Sequence, residues 1–445
     1  MSLANVTAAA PTLTRRARGL RQLVAGTAFV LLASLVAAPQ ATAAPVTLGD
    51  PTVISSWNAL AVRTFLGDTT KASQEAFLYR GFVEAAVYNA VVGIDGRYRP
   101  YRFHARSPRG SSDQAAAVAA AHRVIVEYSP YATTSLDAAY AASLSVIPDG
   151  QAKTDGIAFG ELAARTLINQ RIGDGRNAPI LFTQPPGPGV WRPTPLALLS
   201  MAVPWMGFVK PLLVHSGAQF GLPGPPPALT SREYTRDFRE VKKFGSAAPS
   251  ARTTEQTATA LFFSGNAILQ YDAALADQVM VRDLDIVDTA RMFAAVDMTL
   301  ADTIISVWRS KYVYGFWRPI SAIQLAATDG NPKTIADPSW TPLLTTPPYP
   351  DYVSGYSGVT GGFTVALAEV FRTRHLGLTL ISTAVPGVQR TYDSGRALRQ
   401  DVISARVWLG IHFRFADTDG VAMGARVADW ALEHYFQRAG GDEDD

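Results

Sequence analysis

The chain has 445 residues, 48% of them apolar and 17% charged, enough to bury one large core or two. Its net charge of +3 rests on Arg15, Arg16, Arg18 and Arg21; without that acid-free leading segment one net negative charge remains, and no basic stripe argues for a nucleic-acid partner. Cysteine is absent, which excludes disulfides and cysteine-ligated zinc or iron–sulfur centres.

Residues 1–43 read as an export signal. An arginine cluster precedes an apolar run from Leu23 to Val36, and Ala41-Thr42-Ala43 supplies small residues for cleavage. The run is short for a membrane span, so a secreted, extracytoplasmic protein with no stable span after signal removal is expected, an uncleaved anchor being the alternative. Thr14-Arg15-Arg16 leaves twin-arginine export open beside the general route.

From there the periodicity is helical almost throughout. Ala72 to Val92 sets Phe77, Phe82, Ala85, Ala86 and Val92 near one face. Ser112-Asp113 offers an N-cap to the alanine-rich run Ala115 to Tyr128, and Lys153 to Ile172 is a further amphipathic stretch. Residues 182–228 hold the proline- and glycine-rich QPPGPGVWRPTP and GLPGPPP, read as a long irregular connection between an N-terminal helical half (44–228) and a C-terminal bundle (229–440). Helical pattern resumes over Glu233 to Lys243, Thr254 to Ala276 and Ile286 to about Arg318. No run of alternating β-branched residues demands a strand, and 441–445 form an acidic, solvated tail.

Three segments of the C-terminal third carry the chemistry: KYVYGFWRP (Lys311 to Pro319), PPYPDYVSGYS (Pro347 to Ser357) and SARVWLGIH (Ser404 to His412). Lys311 and Arg318 are seven apart, ~20° from one face if the helix continues, and Pro319 should stop that helix near Arg318. Alone, two such cations would simply complement a helix dipole. Trp308, Phe316 and Trp317 argue instead for an aromatic, partly buried wall. Ser354-Gly355 precedes an apolar run, Val359 to Phe371, and a hydroxyl with free N–H groups at a helix start favours an anion, or is an ordinary N-cap. Arg406 and His412 lie ~240° apart on a continuous helix and approach one anion only if the chain bends, which Gly410 permits. Cations, a hydroxyl, a flexible N–H and an imidazole together suit a tetrahedral oxyanion.

These motifs resemble the vanadium-dependent haloperoxidase and type 2 phosphatidic acid phosphatase superfamily. That pattern runs Lys, six residues, Arg-Pro; then Pro-Ser-Gly-His; then Ser-Arg, five residues, His, three residues, Asp. Here it reads Lys311…Arg318-Pro319, Val353-Ser354-Gly355-Tyr356, and Arg406…His412. WRSKYVYGFWRP, with Trp308 three before the lysine, looks like the haloperoxidase branch, and Trp57-Asn58, AAVYNAVVGIDGRYRPY, the VWRPTP loop and EVKKFGS…RTTEQ look like secreted bacterial members. The resemblance implies an all-α fold of two four-helix bundles. It implies vanadate, or phosphate in the phosphatase branch, held by Lys311, Arg318, Ser354, Gly355 and Arg406, with His412 the vanadium ligand or the phosphatase nucleophile.

Three positions depart from the pattern. Val353 replaces the proline, and Tyr356 replaces the histidine that handles protons in the family; tyrosine titrates near ~10 against ~6.5 for histidine, so it is a poor shuttle at neutral pH. Ala416 stands where an aspartate would orient His412, with Asp417 one residue later. The leading expectation is halide oxidation with hydrogen peroxide, Tyr356 leaving turnover impaired. A phosphatase on phosphomonoesters is the runner-up. An anion-binding module, or cofactor-free acid/base chemistry in the same pocket, is the third.

Overall fold

The computed structural model describes residues 51–195 and 198–440; the export signal and the acidic tail lie outside the described residues. Helices α1 (Thr52–Gly67), α2 (Glu75–Asp95), α3 (Asp113–Tyr128), α4 (Thr133–Ser145) and α5 (Gln151–Gln170) come first. After the long connection follow α6 (Arg232–Phe244), α7 (Thr254–Phe262), α8 (Ala267–Val281) and α9 (Ile286–Tyr314). Then come α10 (Pro319–Gln324), α11 (Gly355–Phe371), α12 (Gly395–Trp408) and α13 (Arg414–His434). One antiparallel hairpin, β1 (His375–Ile381) with β2 (Gln389–Ser394), joins α11 to α12. No sequence pattern pointed to it, because its only regular burial is Leu376, Leu378 and Leu380 on alternate residues.

Two four-helix groups meet along α9. In the first, α1, α2, α3 and α5 pack on one another; in the second, α9, α11, α12 and α13 do so, and α9 also packs on α2. The fold is the all-α, two-bundle architecture expected. The 29-residue α9 is buried on every side over most of its length, as a helix shared by two bundles must be. Helix α2 is likewise enclosed from Glu75 to Val92, so the single apolar face expected of it is instead a whole buried surface.

Local chemistry sets the boundaries. Ser112, Ser231, Asn266, Asp285, Ser354 and Ser394 each accept a backbone N–H at a helix start, and Thr253 with Gln256 forms a capping box. The run expected as one helix from Thr254 to Ala276 is two, because Ser264-Gly265-Asn266 breaks it and Asn266 caps the second. The connection 182–228 is clamped to α9. The Asp302 carboxylate accepts the N–H groups of Leu212, Leu213 and Val214 at 2.7, 2.7 and 2.9 Å. Trp191 N–H donates to Gly315 O at 2.6 Å and Trp317 N–H to Gly189 O at 3.0 Å, which pins the turn after α9. Among the described residues, no helix is long and apolar enough to cross a membrane.

Candidate functional site

The site forms where the C-terminal end of α9, the start of α10, the loop before α11 and the loop after α12 converge. Gly315, at φ +52°, ends α9 and turns the chain, so Lys311 sits in the last turn of α9 while Arg318 caps α10 with Pro319 at its first position. The two cations therefore do not share a helix face, as a continued helix would have required; the turn brings them together. Lys311 Nζ donates to the carbonyls of Pro350 and Asp351 at 2.7 and 2.9 Å. Arg318 Nε donates to Tyr349 O at 2.7 Å and its Nη1 to Ile411 O at 2.8 Å. The Tyr349 ring lies against both cations, 5.1 Å from Lys311 Nζ and 4.8 Å from Arg318 Cζ.

From the other side, α12 ends at Trp408 and the chain bends at Gly410, φ +77°. Arg406 stays in the last turn of α12 and His412 swings to Arg318, whose Nη1 lies 3.1 Å from His412 Nε2. Arg406 Nη1 donates to Phe263 O at 3.0 Å, and its guanidinium lies 4.7 Å over the Tyr356 ring. Ser354 caps α11, its Oγ accepting from Ser357 N–H at 3.5 Å, and Gly355 starts that helix beside the Trp308 ring. Lys311, Arg318, Ser354 and His412 are at most 2% exposed, and Arg406 6%. All the basic and hydroxyl residues expected in the cradle thus converge.

Two carboxylates complete it: Asp351, which the sequence did not single out, and Asp417, which stands one residue past the position expected to orient His412. Asp351 is fully buried, with Oδ1 2.7 Å from His412 Nδ1 and 3.6 Å from Arg318 Nη1. It is the partner His412 lacked on paper, and it comes from the loop before α11. Asp417 serves α11 instead, accepting from Ser357 Oγ at 2.7 Å. Asp351 follows the Pro347-Pro348-Tyr349-Pro350 run two positions ahead of Val353, and a carboxylate inside so apolar a stretch was the available signal.

Burial governs the electrostatics. It pushes the Asp351 carboxyl up to about 8, against the pull of Arg318 and Lys311, and Asp417 up to about 7, against hydrogen bonds from Ser354 and Ser357. Burial first, then Arg318, holds the Lys311 ammonium well below its ordinary value. Burial, then Arg318, Lys311 and Arg406, does the same to His412, so the imidazole is neutral and keeps a lone pair. The Tyr356 hydroxyl donates to the Gln270 amide oxygen, and burial raises the phenol above its usual range. Tyr356 is therefore a shelf under Arg406 whose proton is tied away from His412.

Arg318 Nη2 and Arg406 Nε are buried donors without a hydrogen-bond partner. Orphaned guanidinium N–H groups beside a buried lysine and a neutral imidazole fit a small oxyanion, since each is a directed donor.

A family model described as the VCPO second helical-bundle domain matches residues 291–441, the span that holds every one of these groups. The match supports the vanadium haloperoxidase and type 2 phosphatidic acid phosphatase superfamily for this chain. It is 27% identical over 175 residues to a vanadium chloroperoxidase of Curvularia inaequalis; the match spans 29% of this chain and 28% of that protein. The fold of this haloperoxidase-type chain superposes on the first bacterial vanadium-dependent iodoperoxidase with a TM-score of 0.75 at 21% identity, over 90% of this chain and 100% of the other. A holo-type bacterial vanadium-dependent chloroperoxidase follows at 0.67 and 17% identity, over 84% and 92%.

Proposed function

We propose that the protein is a vanadium-dependent haloperoxidase that oxidises halide with hydrogen peroxide outside the cytoplasm. The orphaned Arg318 Nη2 and Arg406 Nε are what support it most directly; Arg406 and His412 line one pocket. Vanadate would be held by Lys311, Arg318, Arg406, Ser354 and the Gly355 N–H, with His412 Nε2 as ligand, and bound there it supplies a Lewis acid that activates peroxide. The chain's own part is to hold and to exclude. Lys311 and the two arginines neutralise oxyanion charge in a site shielded from water, where each hydrogen bond is stronger. Asp351 Oδ1 lies 2.7 Å from His412 Nδ1, a contact that would fix the ring beside Arg318 while the other ring nitrogen served the anion. Tyr356 supports Arg406 and offers no proton near neutral pH.

The test is protein dialysed with orthovanadate, then assayed for bound vanadium and for triiodide formed from iodide and peroxide. Near-stoichiometric vanadium with triiodide formation is the expected result. Vanadium below a tenth of the protein, or iodide left unoxidised at every pH, overturns the reading.

The Asp351–His412 contact supports a second reading, a phosphomonoesterase, because an imidazole oriented by a carboxylate suits a nucleophile. Without a proton donor at Tyr356 such an enzyme would turn over an activated aryl phosphate and not an alkyl one. Activity that survives His412→Ala would exclude it.

A further inference from the structure

A second concave site lies at the ends of α11 and α12 remote from the cradle. It is a groove of about 760 Å³, within the ~300–1,000 Å³ of small-ligand sites. Four guanidiniums line it: Arg372 and Arg374 from the segment that leaves α11, and Arg396 and Arg399 from the first turns of α12. The two on α12 are three residues apart and so share a helix face. The frame that carries them is tight. A Cβ at Gly395 would meet Thr364 Cβ at 2.7 Å, so α12 starts directly against α11, and Arg399 Nη1 donates to Thr364 Oγ1 at 2.8 Å. Among the described residues none of the four arginines is in an ion pair, and the bond to Thr364 is the only side-chain hydrogen bond they make. Arg390, on the neighbouring β2, shows the contrast: it pairs with Glu255 at 2.8 Å and lies 3.6 Å from Asp401.

The acids of the groove, Glu369 and Asp429, do not answer these cations. Burial first, then Glu369 and Glu433, raises the Asp429 carboxyl, while burial, then Arg396, lowers the Arg399 guanidinium. Each group feels its own sign, so the charges are sorted and not paired. Like charges held together without a counter-charge repel, and an oxyanion removes that repulsion. Guanidinium forks match phosphate and sulfate oxygens two at a time. One exposed pair contributes little, so several charges must act together. The two carboxylates disfavour a long polyanion or a flat anionic membrane, either of which would be brought against them.

We propose that this groove binds a compact ligand carrying two or more closely spaced phosphate or sulfate groups. The inference does not depend on the haloperoxidase reading.

The test is calorimetry on the full chain with tripolyphosphate, sucrose octasulfate and inorganic phosphate. Arg374 and Arg396 are exposed, so reversing their charge leaves the core untouched. Arg374→Glu with Arg396→Glu should weaken one saturable component of tripolyphosphate or sucrose octasulfate binding at least about tenfold, and Arg374→Gln with Arg396→Gln should weaken it by less. An anion held in the cradle is unaffected by these positions, so the component lost is the groove's. Arg106→Glu with Arg109→Glu, the same charge change on another exposed segment, should leave that component unaltered. At this site inorganic phosphate should bind at least about tenfold more weakly, and rising salt should weaken every probe. Whichever compact probe binds more tightly tells a phosphate source from a sulfate one. No component lost, equal losses in the two reversed pairs, or phosphate as tight as tripolyphosphate at this site overturns the inference. So does binding of dextran sulfate or phosphatidylglycerol vesicles with neither compact probe bound.

Discussion

At the scale of single residues, the site is defined by what each buried group is left to do. Asp351 touches His412 and Arg318 with its carboxylate and holds Lys311 through its carbonyl, so one residue organises three. Two effects compete when it changes. Losing what charge Asp351 carries beside Arg318 and Lys311 favours an anion, an effect that burial reduces by raising its carboxyl to about 8, whereas losing the contact to Nδ1 frees the His412 ring. We expect the contact to dominate: Asp351→Ala should weaken vanadate or phosphate binding by about 10- to 100-fold, and Asp351→Asn, which keeps an acceptor in place, should bind within a few-fold of wild type. Calorimetry with either anion checks it, and equal effects of the two substitutions would assign the role to charge. Tyr356 makes a second case. Its hydroxyl is committed to Gln270, so Tyr356→His should restore a titratable group near the anion and raise halide oxidation by about 10- to 100-fold, the lower part of the range for a general acid–base group. The readout is triiodide formation in vanadate-loaded variants. No gain would mean that proton supply is not limiting.

Among elements, the contact that matters most is the crossing of α11 and α13, because α11 begins at Ser354-Gly355. The two backbones touch there: a Cβ at Gly424 would meet Gly358 O at 1.9 Å, and one at Gly361 would meet Val421 O at 2.2 Å. No rotamer relieves a clash with main chain, so the helices must separate. Gly424→Ala is expected to lower stability by about 2–3 kcal/mol, the upper range for overpacking. It should also weaken anion binding, since Ser354 N–H donates to Ala416 O across the same junction. Urea unfolding and anion titration of one preparation measure both, and a variant that loses neither would show that the crossing yields easily. Gly67, far from the junction and facing only the Tyr131 hydroxyl at 3.1 Å, is the control expected to be milder.

For the whole molecule, the bundles are locked by a buried polar cluster remote from the chemistry. Asn58 Nδ2 donates to Glu84 at 2.8 Å and to Asp297 at 2.7 Å, and Arg80 pairs with Asp297 at 2.9 Å, joining α1 and α2 to α9. Burial first, then the Asp297 charge, holds the Glu84 carboxyl well above its ordinary value, so the fold favours its protonated form. A group raised in this way contributes stability that is complete below its unfolded pKa of ~4.3 and is lost as pH rises toward the folded value. Glu84→Gln mimics the protonated acid. It should match wild type near pH 4 and exceed it in thermal midpoint at pH 7–8 by a few degrees. Equal midpoints at both pH values would show that Glu84 is ionised in the fold.

The sequence by itself determined the helical class, several helix starts, and the set of basic groups that the fold brings together. Those features are written locally: caps such as Ser112 and Ser354 and the bend at Gly410 act within a few residues, whereas α9 stops at Gly315, ahead of the Arg318-Pro319 pair expected to end it, which instead begins α10. The hairpin was not legible, because three alternating leucines make a weak signal beside a long helical pattern. Nor was the enclosure of α2, since periodicity reports one buried face and not how many neighbours a helix has. The tertiary structure alone decided the partners. His412 is served by Asp351, 61 positions earlier, and not by an acid of its own motif. The Tyr356 hydroxyl is bound to Gln270, and Phe77 from the first bundle lines the same pocket as Arg406 and His412 of the second. Such pairings depend on how helices cross in space, and crossing geometry comes from packed side chains summed over both bundles, which no local stretch encodes.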